Sequence, residues 1–313
     1  MQPLARLFPL VLTLGIASAA CKRGTAQPER LVEVEGEVLD AAADATHVYF
    51  LVWRSPRARI ARMAIGGTAI ETLAEDDQAP RHIALTADTI YWTTESNLKR
   101  LPKSGGKPAL VAAHVDGRIV VDGRELYSFE REPSGLVRVV ARSLEGVGSP
   151  ARVVAEEGHG GEFIAVDDEA VYTSPAIGGG DVERILKAGG AGATVLAKTR
   201  VGGPLLLAGG DLYYCDGALH RVSKRGGEAR RVAETCGERL TSLDGVVYAS
   251  AESIATGFGG HQDGRVIRLF PAGQSLFEGS SARGLVAAGG ALYVAGRSEA
   301  HPRVAWLRLG GRR

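Results

Sequence analysis

Short apolar runs recur along nearly the whole chain, and tight turns rich in glycine or aspartate separate them. The runs do not alternate cleanly between apolar and polar positions, which is typical of strands with both faces buried. One unit spans residues 89–112: a run ending in Tyr91-Trp92, a polar turn, a run containing Arg100, a Gly-Gly turn and a short apolar run. Together with the apolar run at residues 83–85, this pattern predicts four antiparallel strands joined by hairpins.

An aliphatic residue followed by tyrosine marks each copy of the unit. The seven tyrosines are Tyr49, Tyr91, Tyr127, Tyr172, Tyr213, Tyr248 and Tyr293. From the first to the last is 244 residues in six steps, about 41 per step, which is the period of four-stranded propeller blades. A single sheet with two apolar faces cannot bury both alone, so the units are expected to stack radially.

A second repeated feature follows each tyrosine: an apolar residue, any residue, an arginine and another apolar residue. The seven arginines are Arg62, Arg100, Arg138, Arg184, Arg221, Arg268 and Arg308. A residue repeated in every blade serves the blade, so we predict that these arginines and the tyrosines are structural. The tyrosines should pack between neighbouring blades, with their hydroxyls near the rim.

The last unit supplies only three apolar runs, at residues 285–288, 291–295 and 304–309, before the chain ends. The missing fourth run matches residues 30–34 at the other end of the chain. We therefore predict an all-β, seven-bladed β-propeller over residues 30–311, in which the N-terminal strand completes the last blade. This closure removes an open sheet edge.

These repeats resemble those of seven-bladed propellers of the YWTD, NHL and streptogramin-lyase kinds, and of exported bacterial propellers with VYW-type repeats. The resemblance covers residues 30–310 and implies the fold, not the function. Only residues 91–94, Tyr-Trp-Thr-Thr, approach a YWTD motif, so the ligand recognition of that family is not expected to transfer.

The N-terminus has the features of a targeting segment. Arg6 precedes an apolar run, residues 7–17, that is too short to span a bilayer, and small residues then lead into Cys21. This resembles a bacterial lipoprotein signal with Cys21 as the lipidated first residue, although Ser18 stands where Leu is usual. Ordinary cleavage after Ala19 also fits.

We expect a signal peptide over residues 1–20, a tether over residues 21–29, and an exported lipoprotein of the periplasm or outer membrane. By the same resemblance, Lys22 and Arg23 after the cysteine favour the outer membrane. A net charge of +1 gives no reason to expect nucleic acid. Contact with the membrane is expected through the lipid anchor only, and the protein is expected to be a monomer.

Two further cysteines, Cys215 and Cys236, remain after Cys21. An even pair in an exported protein is most simply a disulfide, and both are expected in neighbouring connections on one face. A bridge requires α-carbons within about 7 Å. The alternative is two separate buried thiols.

The strands of a blade are labelled A to D from the central channel outward. The A–B and C–D turns are short, whereas the B–C connections vary in length, and variable loops on a fixed scaffold are where binding usually resides. The face of the B–C and D–A connections is therefore the predicted binding face. Its candidate ligand-binding residues are Phe258, His261 and Asp263 in the longest connection and Trp53 and Arg57 in the first blade. Both segments could equally be solvated loops.

Three histidines, His82, His114 and His159, precede strand A in consecutive blades and approach the channel mouth. Neutral imidazoles converging there could bind a divalent metal with an open position for substrate. Streptogramin-type lyases use His and Glu on a comparable face, but their motif has no residue-by-residue match here. The alternative is that these histidines are solvated or cap the ends of strands and turns without binding a metal.

The leading hypothesis is a non-enzymatic, membrane-anchored binding or scaffolding module, without a cofactor, for a protein, peptide or glycan. The alternative is a metal-assisted lyase or hydrolase at the channel mouth. A structural envelope protein without a dedicated ligand is a third possibility.

Overall fold

The computed structural model describes residues 29–145, 150–157, 161–175, 179–189, 192–253, 263–270, 274–279, 281–298 and 301–311. All regular structure in these ranges is β-strand, and the strands form seven antiparallel sheets of four. The described ranges contain no helix that could cross a membrane.

The first four blades follow one another along the chain. Blade 1 contains β2 (Glu37–Ala43), β3 (His47–Arg54), β4 (Arg57–Ala64) and β5 (Ile70–Asp76). Blade 2 contains β6 (Ile83–Leu85), β7 (Thr89–Thr93), β8 (Asn97–Pro102) and β9 (Ala109–Ala113). Blade 3 contains β10 (Val115–Asp122), β11 (Glu125–Arg131), β12 (Val137–Ser143) and β13 (Arg152–Glu157). Blade 4 contains β14 (Gly161–Val166), β15 (Ala170–Pro175), β16 (Gly180–Leu186) and β17 (Thr194–Thr199).

The last three blades complete the ring. Blade 5 contains β18 (Leu205–Ala208), β19 (Asp211–Cys215), β20 (Leu219–Ser223) and β21 (Arg230–Ala233). Blade 6 contains β22 (Arg239–Leu243), β23 (Val246–Ser253), β24 (Asp263–Phe270) and β25 (Gln274–Gly279). Blade 7 contains β26 (Ser281–Ala288), β27 (Ala291–Ser298), β28 (His301–Gly311) and β1 (Glu29–Glu33).

The first strand of each blade contacts the first strand of the next, and β26 contacts β2, so the seven inner strands surround a central channel. The N-terminal strand β1 pairs with β28, with Glu29 opposite Arg308 and Glu33 opposite Ala305. The predicted seven-bladed propeller, closed by its N-terminal strand, is confirmed.

The hydrophobic core lies between blades. Each of seven apolar clusters joins two neighbouring blades and contains one of the repeated tyrosines. Tyr49, for example, packs with Ile83 and Trp92 of blade 2, and Tyr293 packs with Phe50 of blade 1. Tyr49, Tyr91, Tyr127, Tyr172, Tyr213 and Tyr293 are each at most 6% exposed. The predicted packing of the tyrosines between blades is confirmed.

The repeated arginine lies directly opposite the tyrosine on the neighbouring strand in six blades. The pairs are Tyr49–Arg62, Tyr91–Arg100, Tyr172–Arg184, Tyr213–Arg221, Tyr248–Arg268 and Tyr293–Arg308. In blade 3, however, Tyr127 is opposite Ala141, and Arg138 is opposite Glu130. The sequence pattern around Arg138 is thus repeated in blade 3 without the same register, because an apolar pattern of short period does not fix strand register by itself.

The face of the A–B and C–D turns is tied together by lysine–aspartate pairs between neighbouring blades. Lys103 of blade 2 contacts Asp44 of blade 1 at 2.7 Å, and its ammonium lies 4.9 Å from the centre of the Tyr49 ring. Lys224 contacts Asp167 at 2.8 Å in the same way, and Lys187 contacts Asp122. This face is therefore used for blade-to-blade contacts.

Candidate functional site

Several inner strands are irregular near their starts, on the opposite face of the ring. Pairing with the second strand shifts at Leu39 in β2, between Asp116 and Val120 in β10, and at Glu162 in β14. A β-bulge bends its strand and redirects a side chain, and bulges are frequent beside functional sites. Here they set charged residues, Asp40, Arg118 and Glu162, at the mouth of the channel.

A cavity of about 520 Å³ opens at this mouth. Its charged and aromatic lining residues come from four blades: His82, Arg118, Glu162, Phe163, Glu238 and Arg239. The remaining lining residues are Gly202, Gly203, Pro204, Cys215, Gly217, Cys236 and Gly237. Because these residues lie in or just after the D–A and B–C connections, the cavity is on the predicted binding face.

Asp40 is the centre of a buried polar network. The Arg239 guanidinium donates to the Asp40 carboxylate at 2.7 Å and to the Leu39 carbonyl at 2.7 Å. The backbone N–H groups of Ala41 and Ile83 donate to the same carboxylate at 2.8 and 3.2 Å. Burial acts to raise the pKa of Asp40, but the charge of Arg239, the neighbouring His82 and the charge of Arg118 outweigh it and hold that pKa well below its usual range.

His82 lies beside this carboxylate, with its Nδ1 3.5 Å from an Asp40 oxygen. Nδ1 is buried and has no hydrogen-bond partner within the described part of the chain. Burial lowers the pKa of His82 to about 4. Asp40 acts in the opposite direction, but Arg239 already neutralises that carboxylate, so the imidazole is neutral at pH 7.

Arg118 reaches across the channel from blade 3 to blade 6, where it donates to the Glu238 carbonyl at 3.4 Å. Its guanidinium carbon lies 5.3 Å from the centre of the Phe163 ring. Burial and the charge of Arg239 lower the pKa of Arg118 to about 10, so the group is still a cation at neutral pH. Among the described residues, no carboxylate lies within ion-pair distance of it.

The two cysteines form a disulfide in the wall of the cavity. Cys215 ends β19, Cys236 lies in the connection to β22, and their α-carbons are 5.8 Å apart, within the expected limit. Gly203 packs against this bridge: a Cβ there would lie 2.6 Å from the Cβ of Cys215, so only glycine fits. The structure thus contains the predicted disulfide.

The first-blade segment predicted to be a loop is instead a tight hairpin. Trp53 and Arg57 belong to β3 and β4, so only Ser55 and Pro56 connect the strands. Arg57 pairs with Glu75 at 2.8 Å, with both side chains more than half exposed. The expectation of a first-blade loop was wrong, because β3 and β4 remain paired as far as Arg54 opposite Arg57. The polar composition of this segment does not show where the strands end.

Of the longest connection, only its ends are described: β23 extends to Ser253, and β24 begins at Asp263, opposite it. Phe258 and His261 lie outside the described residues, as do Cys21 and His159. Their proposed roles stay predictions.

The structure places only one of the described histidines at the cavity. His82 lines it, whereas His114 is exposed, has a φ of 60° and does not contribute to the lining. Within the ranges that the structure describes, no group of three His, Cys, Asp or Glu side chains is able to hold a metal.

Sequence reasoning did not single out Asp40, Arg118, Glu162, Glu238 or Arg239. Their signal is a charged residue in or beside an innermost strand, where blade 5 has Leu205-Leu206-Leu207. A position-by-position comparison of the seven inner strands would have shown that charges occupy the same part of the inner strand in blades 1, 3, 4 and 6.

The sequence matches no protein-family profile and no curated protein. Similar solved structures are numerous, and three illustrate the range. The WD40 β-propeller domain of Doa1 has 11% identity and a TM-score of 0.65, over 91% of this chain and 98% of that chain. BamB from Moraxella catarrhalis has 14% identity and a TM-score of 0.58, over 90% and 100%. An oligogalacturonate lyase in complex with manganese has 12% identity and a TM-score of 0.61, over 86% and 87%.

At these identities the likeness concerns the fold alone. By its fold, therefore, the chain is a seven-bladed β-propeller built from four-stranded blades.

Proposed function

We propose that this protein is an exported binding or scaffolding module, anchored by a lipid on Cys21, that engages a protein, peptide or glycan through the channel mouth. The observation that carries the proposal is the cavity of about 520 Å³, whose lining includes the charged residues Arg118, Glu162, Glu238 and Arg239. Its volume falls in the range of small-ligand pockets, roughly 300–1,000 Å³. The disulfide beside it is compatible with an oxidising, exported location.

Binding is favoured over catalysis by the state of the two groups that could transfer a proton. The charge of Arg239, the contact with His82 and the charge of Arg118 together outweigh burial and keep the pKa of Asp40 well below its usual range, so Asp40 is ionised and a weak base. His82 is neutral at pH 7, but it is buried beside Asp40. A general acid or base works best with a pKa near the operating pH and with access to the substrate.

Site-specific photocrosslinking in the parent cells tests the binding site. p-Benzoylphenylalanine in place of Phe163 puts the probe in the cavity, and the same residue in place of Ala188 puts it at an exposed turn on the opposite face. We expect one discrete adduct from position 163 and none from position 188. Equal adducts from both positions, or none from position 163, would overturn the proposal.

The lipid anchor is tested independently by metabolic labelling with an alkyne fatty acid. Wild-type protein should take up the label and sediment with membranes, whereas Cys21→Ser should lose both properties. Release of unlabelled wild-type protein into the soluble fraction would instead support ordinary cleavage after Ala19.

A metal-assisted lyase or hydrolase is the second candidate, and the position of His82 in the cavity lining is what favours it. Elemental analysis of the purified protein tests it. A stoichiometric divalent metal that is lost in His82→Ala and retained in His47→Ala would support this candidate, and a metal content unaffected by His82→Ala would contradict it.

A further inference from the structure

We infer that the cavity takes a ligand that carries both a carboxylate and an ammonium group, with the carboxylate on Arg118 and the ammonium between Glu162 and Glu238. This inference rests on the proposed binding role of the cavity and names the chemistry of its ligand. The proposed ligand chemistry follows from the pairing of the cavity's charges, the environment of Arg118, and the balance of charge that a ligand would meet.

The cavity contains both paired and unpaired charged side chains. Arg239 and Asp40 are 2.7 Å apart, with side chains only 14% and 9% exposed, and they neutralise each other. Arg118, Glu162 and Glu238 also belong to the cavity lining. Within the described ranges, none of these three forms an ion pair. The cavity therefore offers one cation and two carboxylates to a ligand.

The surroundings of Arg118 differ from those of most other buried arginines. Its Nε is buried without a hydrogen-bond partner among the described residues, but this is also true of Arg268, which does not line the cavity, and of Arg138, Arg184 and Arg308. The last three differ from Arg118 because each has a carboxylate nearby, at 2.5, 3.0 and 3.6 Å respectively. Arg118 has only the Glu238 carbonyl at 3.4 Å, a long contact for an N–H donor.

Phe163 defines where a ligand can approach this guanidinium. The ring packs against the guanidinium carbon at 5.3 Å, a cation–π contact that occupies a face of the planar group. The N–H donors lie in the plane and match the two oxygens of a carboxylate. Gly117 lies close to Glu162, because a Cβ at that glycine would be only 3.1 Å from the Glu162 carbonyl oxygen. Blades 3 and 4 therefore approach each other closely beside this guanidinium.

The net charge of the cavity lining also restricts which ligand can bind. With His82 neutral, two arginines face three carboxylates, Asp40, Glu162 and Glu238, so the site has one net negative charge. A phosphate or other dianion would be repelled by the two free carboxylates, and a simple cation would leave Arg118 without a partner. A zwitterion satisfies both signs. A free α-amino acid and a short peptide with free termini share this chemistry, and the size of the cavity admits either.

Calorimetric titration of the full chain in detergent tests the inference and separates the two sources. The probes are L-leucine, trialanine, N-acetyl-trialanine and trialanine amide. We expect trialanine or leucine to bind, and each blocked peptide to bind about 10- to 100-fold more weakly than trialanine, because a charge-assisted contact is lost. Binding of leucine alone assigns the site to free amino acids, and binding of trialanine assigns it to peptide ends.

Variants locate the two halves of the site. Arg118→Met should weaken trialanine about 10- to 100-fold and leave the already weak amide unchanged, whereas Arg118→Lys should lose less. Glu162→Gln should weaken trialanine and leave N-acetyl-trialanine unchanged. Arg124→Met is the matched control, because Arg124 is exposed on the opposite face and pairs with Glu145. Thermal unfolding checks that Arg118→Met is folded.

Two outcomes would overturn the inference. The first is that none of the four probes binds at millimolar concentration, and the second is that the blocked peptides bind as well as trialanine or that Arg118→Met changes nothing. A discrete crosslink from position 163 under either outcome would leave the proposed binding role intact. Failure of that crosslink as well would remove both.

Discussion

The blade interfaces and the channel mouth follow opposite rules. Each interface contains the same residue, a tyrosine that is buried in six cases and half-buried at Tyr248, and it packs in an apolar cluster. At the channel mouth the residue nine positions before the repeated tyrosine changes from blade to blade, with Asp40 in blade 1 but arginine in blades 3 and 6, and these side chains make contacts across the ring. Repetition therefore identifies the scaffold of a propeller, and departures from it identify the site.

The two turn faces differ in the same sense. On the A–B and C–D face, lysine–aspartate pairs recur between neighbouring blades, at Lys103–Asp44 and Lys224–Asp167. On the other face, Arg239 reaches from blade 6 to Asp40 in blade 1, a contact without a counterpart in the repeat. Four changes, from the largest expected effect to the smallest, test this contrast.

Removal of a repeated tyrosine should cost the most. Tyr293→Ala leaves a large cavity between blades 7 and 1, and we expect it to lower the free energy of unfolding by about 4 kcal/mol. Tyr293→Phe is the control: the Tyr293 hydroxyl is buried without a partner among the described residues, so its removal should be neutral or stabilising. Denaturant unfolding measures both. A loss of more than 1 kcal/mol in Tyr293→Phe would show that the hydroxyl contributes to the interface.

Disruption of the unique network should cost somewhat less. Asp40→Ala leaves Arg239 as a buried, unpaired charge, so we expect a loss of about 3 kcal/mol. In the double variant Asp40→Ala with Arg239→Met, the unpaired charge is gone and most of the loss should be recovered. If the two single losses simply add in a denaturant unfolding cycle, the pair does not couple blades 6 and 1.

The stability of the folded protein at acid pH should depend on the protonation of His82. Its folded pKa of about 4 lies below an unfolded value near 6.5, so unfolding takes up a proton between these values. Stability should therefore be constant above about pH 6.5 for this group and should fall by about 3 kcal/mol as the pH drops to 4. His82→Gln should flatten that slope in thermal melts at stepped pH. An unchanged slope would show that other groups cause the acid lability.

The lysine–aspartate pairs should have the smallest effect. Lys103 is 11% exposed and Asp44 28% exposed, so Lys103→Met should cost about 1 kcal/mol in denaturant unfolding. Lys198→Met is the control, since the Lys198 side chain is 84% exposed and its contact with Asp181 is 3.8 Å long. We expect no measurable change in that variant, and equal losses in both would mean that the inter-blade pairs are ordinary surface contacts.

Much of the fold could be predicted from short-range patterns. Apolar runs separated by turn residues indicate hairpins, and the spacing of the tyrosines gives the number of blades. The closure by β1 followed from counting strands, because an unpaired edge is unfavourable. The register of Arg138 was not predictable and the hairpin at Trp53 was mispredicted as a loop, since register and strand ends depend on neighbouring strands that a local pattern does not contain.

The site could be predicted only as a face of the ring. The variable connections pointed to the correct side for the cavity, and His82 was placed near it. Arg118 and Glu238 are 120 positions apart in the chain, and Arg239 and Asp40 are 199 apart, so no spacing in the sequence relates them.

The sequence by itself determined the blade and the number of blades, because strand, turn and inter-blade packing are set by residues close together in the chain and repeated seven times. Only the tertiary structure decided which charges neutralise one another and which stay open to a ligand. The physical reason is that closing the ring brings the starts of all inner strands to one point. There, burial and mutual charge, which depend on distance through space, fix the state of each group.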